Sequence, residues 1–568
     1  MKIVLTSLNS KFIHTNLALR YLKANLSIEK VHVQLTEYTI NDTLDSILGD
    51  LYTYNGDIYA FSCYIWNIEE TLKVVNNLKA VLPNCLIILG GPEATFNANE
   101  ILNNTNADII VKGEGEITFY ELIKKIYSNT HYIDLDGIVF KDDNNNIVNN
   151  KDRRPLDNLD NLVFPYIYDD MSSYKNQILY YEGSRGCPFK CSYCLSSIDR
   201  KVRNFSLKRI KEDLSILLQN KVKQVKFVDR TFNSNIKRAK EIVDFIIRNN
   251  NNITNFHFEI AGDLLDDEII KMLNNAPTGL FQLEIGVQSV NKKTLCSINR
   301  TTNIDKIESN LSKLNKSIHI HLDLIAGLPF EDYNSFKKSF NRVYNMDSHM
   351  LQLGFLKLLK GSPIEKEKSK FSYRFNQFPP YEIFSNDFID YNELLHLKKI
   401  EYLIDKYYNS GGFQNTIRYI LATYYKAPYE FYDEFSNFWI KNDLYKTSHN
   451  KDKIYKILID FLYSKSVDIK IINNFIKYDY LLFNKWPLPS FLNSNALKKE
   501  KVFELLKDHL FIKKYLPQYE KTPAKNIYKQ IYMELFDFNI TSFEYLRNEE
   551  VLLIFYKDEK GKTSVVHY

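Results

Sequence analysis

Residues 184–196 read SRGCPFKCSYCLS, placing three of the chain's six cysteines, Cys187, Cys191 and Cys194, within eight positions. The spacing is C-x3-C-x2-C, directly after the strand-like run QILYYEGS and a GSRG turn. Thiolates so spaced on one loop can converge on a single face, which a rigid helix or strand would not permit. Structural zinc takes four ligands, and the histidines nearest in sequence, His131 and His257, are more than fifty residues away. Iron–sulfur clusters usually take four cysteines as well. Three local thiolates with no fourth protein ligand therefore point to a [4Fe-4S] cluster whose fourth iron is open to a small molecule.

The rest of the chain supplies the context for that loop. A length of 568 residues is too great for one hydrophobic core and predicts at least two domains, while 45% apolar residues are ample to fill them. A net charge of +5 over this length gives no general pull toward nucleic acid or membrane, so neither is expected as a partner. The opening MKIVLTSLNSKFIHTNLALRYLK has the pattern of a strand and helix rather than a signal peptide. No run approaches the roughly twenty apolar residues of a membrane span. A cytoplasmic location is expected; there thiols stay reduced, which favours a metal site over a disulfide framework.

Strand-like and helix-like runs alternate from the start to about residue 130: KIVLTSL, HVQLTEY, DIYAFSCY, CLIILGG and DIIVKG, with helical IEETLKVVNNLKAVL, ANEILNN and ITFYELIKKIY around the last three. This predicts an α/β, doubly wound, Rossmann-like domain over residues 1–150, ending in a hairpin that turns at the Asp/Asn cluster of IDLDGIVFKDDNNNIVNN. Residues 151–174, rich in proline and charge, make the best linker. Six further strand-plus-helix units over residues 175–368 predict a partial (β/α)6 barrel. Residues 369–568 look mainly helical, with a possible terminal hairpin turning at DEKG, and carry no readable motif. Their many tyrosines at helical spacing are expected to pack helices.

Ligand-facing residues of a barrel sit at the C-terminal ends of its strands. Asp229 in FVDRTF, Glu259 and Asp263 in FEIAGD, Glu284 and Gln288 in LEIGVQS and Asp323 in HLDLIAGLP occupy such places. Cys63, Cys85 and Cys296 are scattered and are expected to be buried small hydrophobes, although Cys296 could approach the barrel mouth.

The cysteine loop resembles the signature of the radical S-adenosylmethionine (SAM) superfamily, in which an aromatic residue precedes the third cysteine; Tyr193 stands there. The resemblance covers about residues 175 to 365 and implies that the cluster's free iron chelates the amino and carboxylate groups of SAM. It also implies reductive cleavage to a 5′-deoxyadenosyl radical. Gly286, Gln288 and Ser289 match a fourth-strand G-x-Q-S pattern, Arg300 the arginine that meets the methionine carboxylate, and Gly327 with Pro329 a fifth-strand turn close to adenine.

The first domain, coupled to such a barrel, resembles the cobalamin-binding domain of B12-dependent radical SAM enzymes. By that match Ser62, Gly90, Gly91, Pro92, Gly113 and Glu114, in FSCYIWN, LGGPEAT and KGEGE, are candidate corrinoid contacts. The C-terminal region resembles that of an uncharacterised subgroup with an extra domain of unknown function. No D-x-H-x-x-G motif supplies a lower axial histidine, and His14 is better read as a capping or packed imidazole. No G-x-G-x-x-G follows the first strand, which argues against a nicotinamide site.

These resemblances imply a cobalamin-dependent methyltransferase acting on an unactivated carbon of a small-molecule or peptide substrate. An electron donor such as flavodoxin or ferredoxin is implied as partner. The alternatives are a cobalamin-associated rearrangement or cyclisation enzyme, and a non-catalytic iron–sulfur redox or sensing protein. Methylthiolation fits less well, because it usually goes with a separate domain bearing three more cysteines.

Overall fold

The computed structural model describes residues 1–142, 144–540, 549–558 and 561–568. The chain divides into two units, residues 1–339 with 353–394, and residues 340–352 with 395–568.

The first unit begins with a seven-stranded sheet: β1 (Lys2–Asn9), β2 (His32–Thr39), β3 (Ile58–Ser62), β4 (Leu86–Gly90), β5 (Ile109–Val111), β6 (Ile138–Lys141) and β7 (Ile147–Asn149). Their order is β2-β1-β3-β4-β5-β6-β7. The first five run parallel, and β6 and β7 add an antiparallel edge. Parallel strands are covered on both faces, so their residues alternate between two cores rather than between core and water. Val4, Tyr59, Phe61, Ile87 and Leu89 fill one core, and Ile3, Leu5, Ile58, Ala60 and Ile88 the other. The helix Leu44–Tyr54, started by Thr43 accepting a hydrogen bond from the Ser46 amide, is an element that the sequence reading missed. The expected turn between β6 and β7 includes Asp143, which lies outside the described residues.

The barrel follows, with β8 (Ile178–Tyr181), a short antiparallel pair β9 (Ser184–Arg185) and β10 (Arg203–Asn204), then β11 (Gln224–Phe227), β12 (Asn255–Ile260), β13 (Phe281–Gln288), β14 (His319–Ala326) and β15 (Met350–Phe355). The sheet order β15-β14-β13-β12-β11-β8 is that of successive strand–helix units curling in one direction. In strand β13 burial alternates strictly, with apolar Phe281, Leu283, Ile285 and Val287 under the helices and polar Gln282, Glu284 and Gln288 toward the lumen. A segment after the barrel carries the pair β16 (Arg374–Phe375) and β17 (Ile383–Ser385).

The second unit is mainly helical. Trp439, Tyr407, Tyr432 and Phe435 are wholly buried in it, so aromatic residues at helical spacing do pack helices. It also holds a three-stranded antiparallel sheet, β18 (Ile531–Phe536), β19 (Val551–Lys557) and β20 (Thr563–His567). Strand β18 was not evident in the sequence. The β19–β20 pair matches the expected hairpin, although Glu559 and Lys560 of its DEKG turn lie outside the described residues. Among the described residues no helix is long and apolar enough to cross a membrane.

Candidate active site

The cysteine loop is anchored before it begins. Asp229, at the end of β11, accepts hydrogen bonds from the Gly183 amide at 2.7 Å and the Ser184 hydroxyl at 2.6 Å. Strands β9 and β10 close the neck of the loop. Gly186, at φ +89°, turns the chain where any Cβ would run into the Lys201 carbonyl. The Cys187 amide then donates to the Asp199 carbonyl at 3.0 Å, and the Cys194 amide to the Cys191 carbonyl at 3.1 Å.

This brings the three thiols to one cavity of about 250 Å³, which Tyr193, Glu259, Glu284, Gly286, Gln288, Arg300 and Asp323 also line. Cys187 and Cys191 are buried, and Cys194 is half-buried. The Arg300 guanidinium lies 3.5 Å from the Cys191 sulfur and 3.1 Å from the Tyr193 hydroxyl, and it donates to the Gly286 carbonyl. Gln288 Oε1 and Arg300 Nε are buried in the same wall with no hydrogen-bond partner among the described residues. Sulfur ligands without a fourth protein donor, beside unsatisfied polar atoms, fit a cluster that also receives a polar cosubstrate.

Below the thiols the strand register assembles a charged lumen. Glu259 is level with Glu284, and Glu284 with His321. Lys226 lies 2.9 Å from Glu284 and 3.9 Å from Glu259. Burial pushes Glu284 up, but the bond from His257 and the Lys226 ammonium outweigh it and hold the carboxyl at about 2. Burial, then the charges of Glu284 and Glu259, push Asp323 up to about 8, so it is largely neutral near pH 7. Lys226, His257 and His321 were missed in the sequence. The signal was present as period-two polarity, HFE in β12 and HLD in β14, which in a strand under helices marks the lumen face.

Several expected residues lie elsewhere. Asp229 is spent on the neck of the loop. Asp263 accepts from the Asn303 amide at 3.0 Å, and the buried Ser289 donates to Glu331 at 2.6 Å. Gly327 gives its carbonyl to the Asn386 side chain at 2.8 Å and lies against Ile383. Cys63 and Cys85 are buried, whereas Cys296 is exposed, because its helix turns Thr294 and Leu295 inward instead.

A second cavity of about 480 Å³ opens at the carboxyl ends of the first sheet, and Ser62, Gly90, Gly91, Pro92, Gly113 and Glu114 all line it. Gly91 sits at φ +99°, and a Cβ there would overlap the Cys63 carbonyl oxygen. The apolar floor, from Leu19, Ile88, Leu89 and Phe119, suits a large flat ligand and fits a corrinoid. Glu114 turns its carboxylate to Arg203 and Arg185. Arg185 also pairs with Glu116 and, at 2.9 Å, with Glu182. His14 makes a 2.6 Å hydrogen bond with the Tyr180 hydroxyl and does not line this cavity.

Residues 356–390 tie the loops of both cavities together. The Ile364 amide donates to the Ser192 carbonyl in the cysteine loop at 2.9 Å, and Tyr381 donates to the buried Glu93 of the GGPEA loop at 2.8 Å.

Three stretches of the chain match known families. Residues 3–123 match the B12 binding domain, residues 181–343 the radical SAM superfamily, and residues 369–555 a "Protein of unknown function (DUF4080)". The chain thus combines a B12-binding domain with a radical SAM domain. An uncharacterized methyltransferase of Pyrococcus horikoshii is 31% identical over 236 residues, 40% of this chain and 51% of that protein. The cobalamin-dependent radical SAM methyltransferase TokK of Streptomyces tokunonensis is 25% identical over 347 residues, 57% of this chain and 50% of that one. The chain thus spans about half the length of the curated relatives it matches. Its fold is similar to that of the cobalamin-dependent SAM radical enzyme OxsB with aqua-cobalamin bound, with a TM-score of 0.60 and 16% identity over 84% of this chain and 79% of that one. The radical SAM domain implies a [4Fe-4S] cluster and SAM, and the B12-binding domain implies cobalamin.

Two outcomes follow from the walls of the corrinoid cavity. Gly91→Ala should retain at least tenfold less corrinoid after incubation with hydroxocobalamin than Gly49→Ala, whose new methyl meets nothing within 4 Å; equal visible absorbance would contradict the cradle. Tyr381→Phe strips the donor from Glu93, a carboxyl already raised by burial and lowered by that bond. A carboxyl raised in the fold stabilises fully only below its ordinary range and loses that contribution as pH rises. The variant, by raising it further, should cost about 1–3 kcal/mol at pH 8 and less at pH 5 in denaturant unfolding.

Proposed function

We propose that the chain is a cobalamin-dependent radical SAM methyltransferase acting on an unactivated carbon. One observation carries this reading: Ser196, in the cysteine loop, and Arg230, just after β11, line the thiol cavity and the corrinoid cavity alike. A cosubstrate on the cluster and a corrinoid in the first domain would therefore face a common space. Two relatives matched over 40% and 57% of this chain are methyltransferases, which supports methyl transfer, while a magnesium-protoporphyrin IX monomethyl ester cyclase of Rubrivivax gelatinosus matches over 58% and keeps cyclisation as the second reading.

When bound, the cluster and SAM supply a 5′-deoxyadenosyl radical and cobalamin a methyl group, with an electron from a donor such as flavodoxin or ferredoxin. The chain's own part is to bind and align. Cys187, Cys191 and Cys194 would hold the cluster, and Arg300 lies against the Cys191 sulfur. Tyr193 shields that contact. Glu259, Glu284, Gln288 and Asp323 offer acceptors for the ammonium and ribose hydroxyls of the cosubstrate; a neutral Asp323 can also donate. Ser62, Gly90, Gly91, Pro92, Gly113 and Glu114 shape the corrinoid wall, and Gly327 steadies the end of β14. Holding the reactants in a walled space is the protein's contribution to rate.

Anaerobically reconstituted protein given reductant and SAM should release 5′-deoxyadenosine, and Cys191→Ala should lower that release at least 100-fold. An intact cluster that yields none would contradict the enzymatic reading and favour the redox or sensing alternative.

A further inference from the structure

A third cavity, of about 570 Å³, lies where the first domain meets the barrel, walled by Tyr64, Trp66, Tyr180, Lys226 and Glu259 among others. It shares Glu259 with the thiol cavity, and Tyr64, Glu116 and Arg185 with the corrinoid cavity. Among the described residues, Arg230 alone lines all three. Asp229 is turned to Gly183 and Ser184, so the next side chain along the chain leaves in another direction, into the shared space.

The chamber's carboxylates are held by Arg185 and Lys226, and the exposed Arg230 acts on Glu259 and Tyr64 through its charge alone. Glu116 and Glu182 pair with Arg185, and Glu259 faces Lys226 at 3.9 Å while Lys226 binds Glu284. The Arg230 guanidinium has no hydrogen-bond or ion-pair partner among the described residues. A planar fork of donors without a partner, in a cavity, is a receptor for a carboxylate or phosphate. Beside it, Tyr64 and Trp66 stack with ring centres 4.5 Å apart and planes 5° apart. Trp66 remains 46% exposed, an unusual amount for so large an apolar ring.

We infer that this chamber takes the substrate, and that the substrate is a small carboxylate or phosphate carrying a flat apolar group, its anion on Arg230 and its flat part against Trp66. The inference deepens the radical methyltransferase reading and rests on it for the word substrate. Because Arg230 stands where all three cavities meet, the carbon that reacts lies close to the anionic group.

The test uses protein loaded with cluster and cobalamin, titrated calorimetrically with 2-naphthoate, 2-naphthyl phosphate, 2-naphthamide and cyclohexanecarboxylate. At least one naphthyl anion should bind tenfold or more tightly than the amide, and which one does so tells carboxylate from phosphate. Arg230→Gln should bring anion and amide within twofold, with Arg230→Lys keeping part of the preference. Trp66→Ala should erase the preference for naphthoate over cyclohexanecarboxylate. Equal binding of anions and amide, or a preference that survives Arg230→Gln, would overturn the inference. So would an Arg230→Gln protein that weakens SAM binding and leaves probe preference intact, since Arg230 would then serve the cosubstrate. If Arg230→Gln fails to load its cofactors, Arg230→Lys and Trp66→Ala decide the matter by the same criteria. Release of 5′-deoxyadenosine by the same preparation without probes is measured separately. Its failure would sink the catalytic reading alone, whereas failure of the probe series would sink only the substrate class.

Discussion

The Arg185 guanidinium stands at the neck of the cysteine loop and is shared by Glu114 and Glu116 of the first domain and Glu182 of the barrel. Arg203, on the opposite side of the neck, is shared by Glu114 and Asp199. Four carboxylates around two cations leave an excess of negative charge in a partly buried place. Burial accordingly pushes Glu182 up to about 7 against the pull of Arg185. Breaking such a pair from one side strands the other charge, at a typical cost of about 3–5 kcal/mol. The GEGE loop that walls the corrinoid cavity and the loop that carries the thiols are thus fastened to one another by charge, and the register between the two cavities follows from that fastening.

The post-barrel segment adds a second fastening made of hydrogen bonds without ion pairs. Its Ile364 amide reaches the cysteine loop, Asn386 reaches Gly327 at the end of β14, and Tyr381 reaches Glu93 beside the corrinoid cavity. Part of it falls within residues 369–555, the span of the domain of unknown function. That domain's first residues therefore belong structurally to the cofactor-bearing unit.

Features set by local chemistry were legible in the sequence. Cysteine spacing on a loop, strand runs rich in β-branched residues and paired glycines at strand ends depend on a few neighbouring positions, and the residues they single out lie on strands or line cavities of the structure. Partnerships across the chain were not. Glu114 was expected to touch the corrinoid; it lines that cavity, yet its carboxylate faces Arg203, 89 positions away. Just after β11 the sequence drew attention to Asp229, but its carboxylate is taken by Gly183 and Ser184 at the loop neck, and Arg230 is the residue that lines the cavities. Lys226 and His321 were overlooked because each looks ordinary alone; only the register of four adjacent strands makes them a lumen.

Three thiolates holding a cluster with one iron left for SAM are the premise of the proposed chemistry. Low-temperature electron paramagnetic resonance of the anaerobically reconstituted, dithionite-reduced protein, recorded with and without SAM, addresses this most directly. A reduced [4Fe-4S] signal whose g values shift when SAM is added is the predicted result. Zinc in place of iron, or a cluster signal indifferent to SAM, would contradict it.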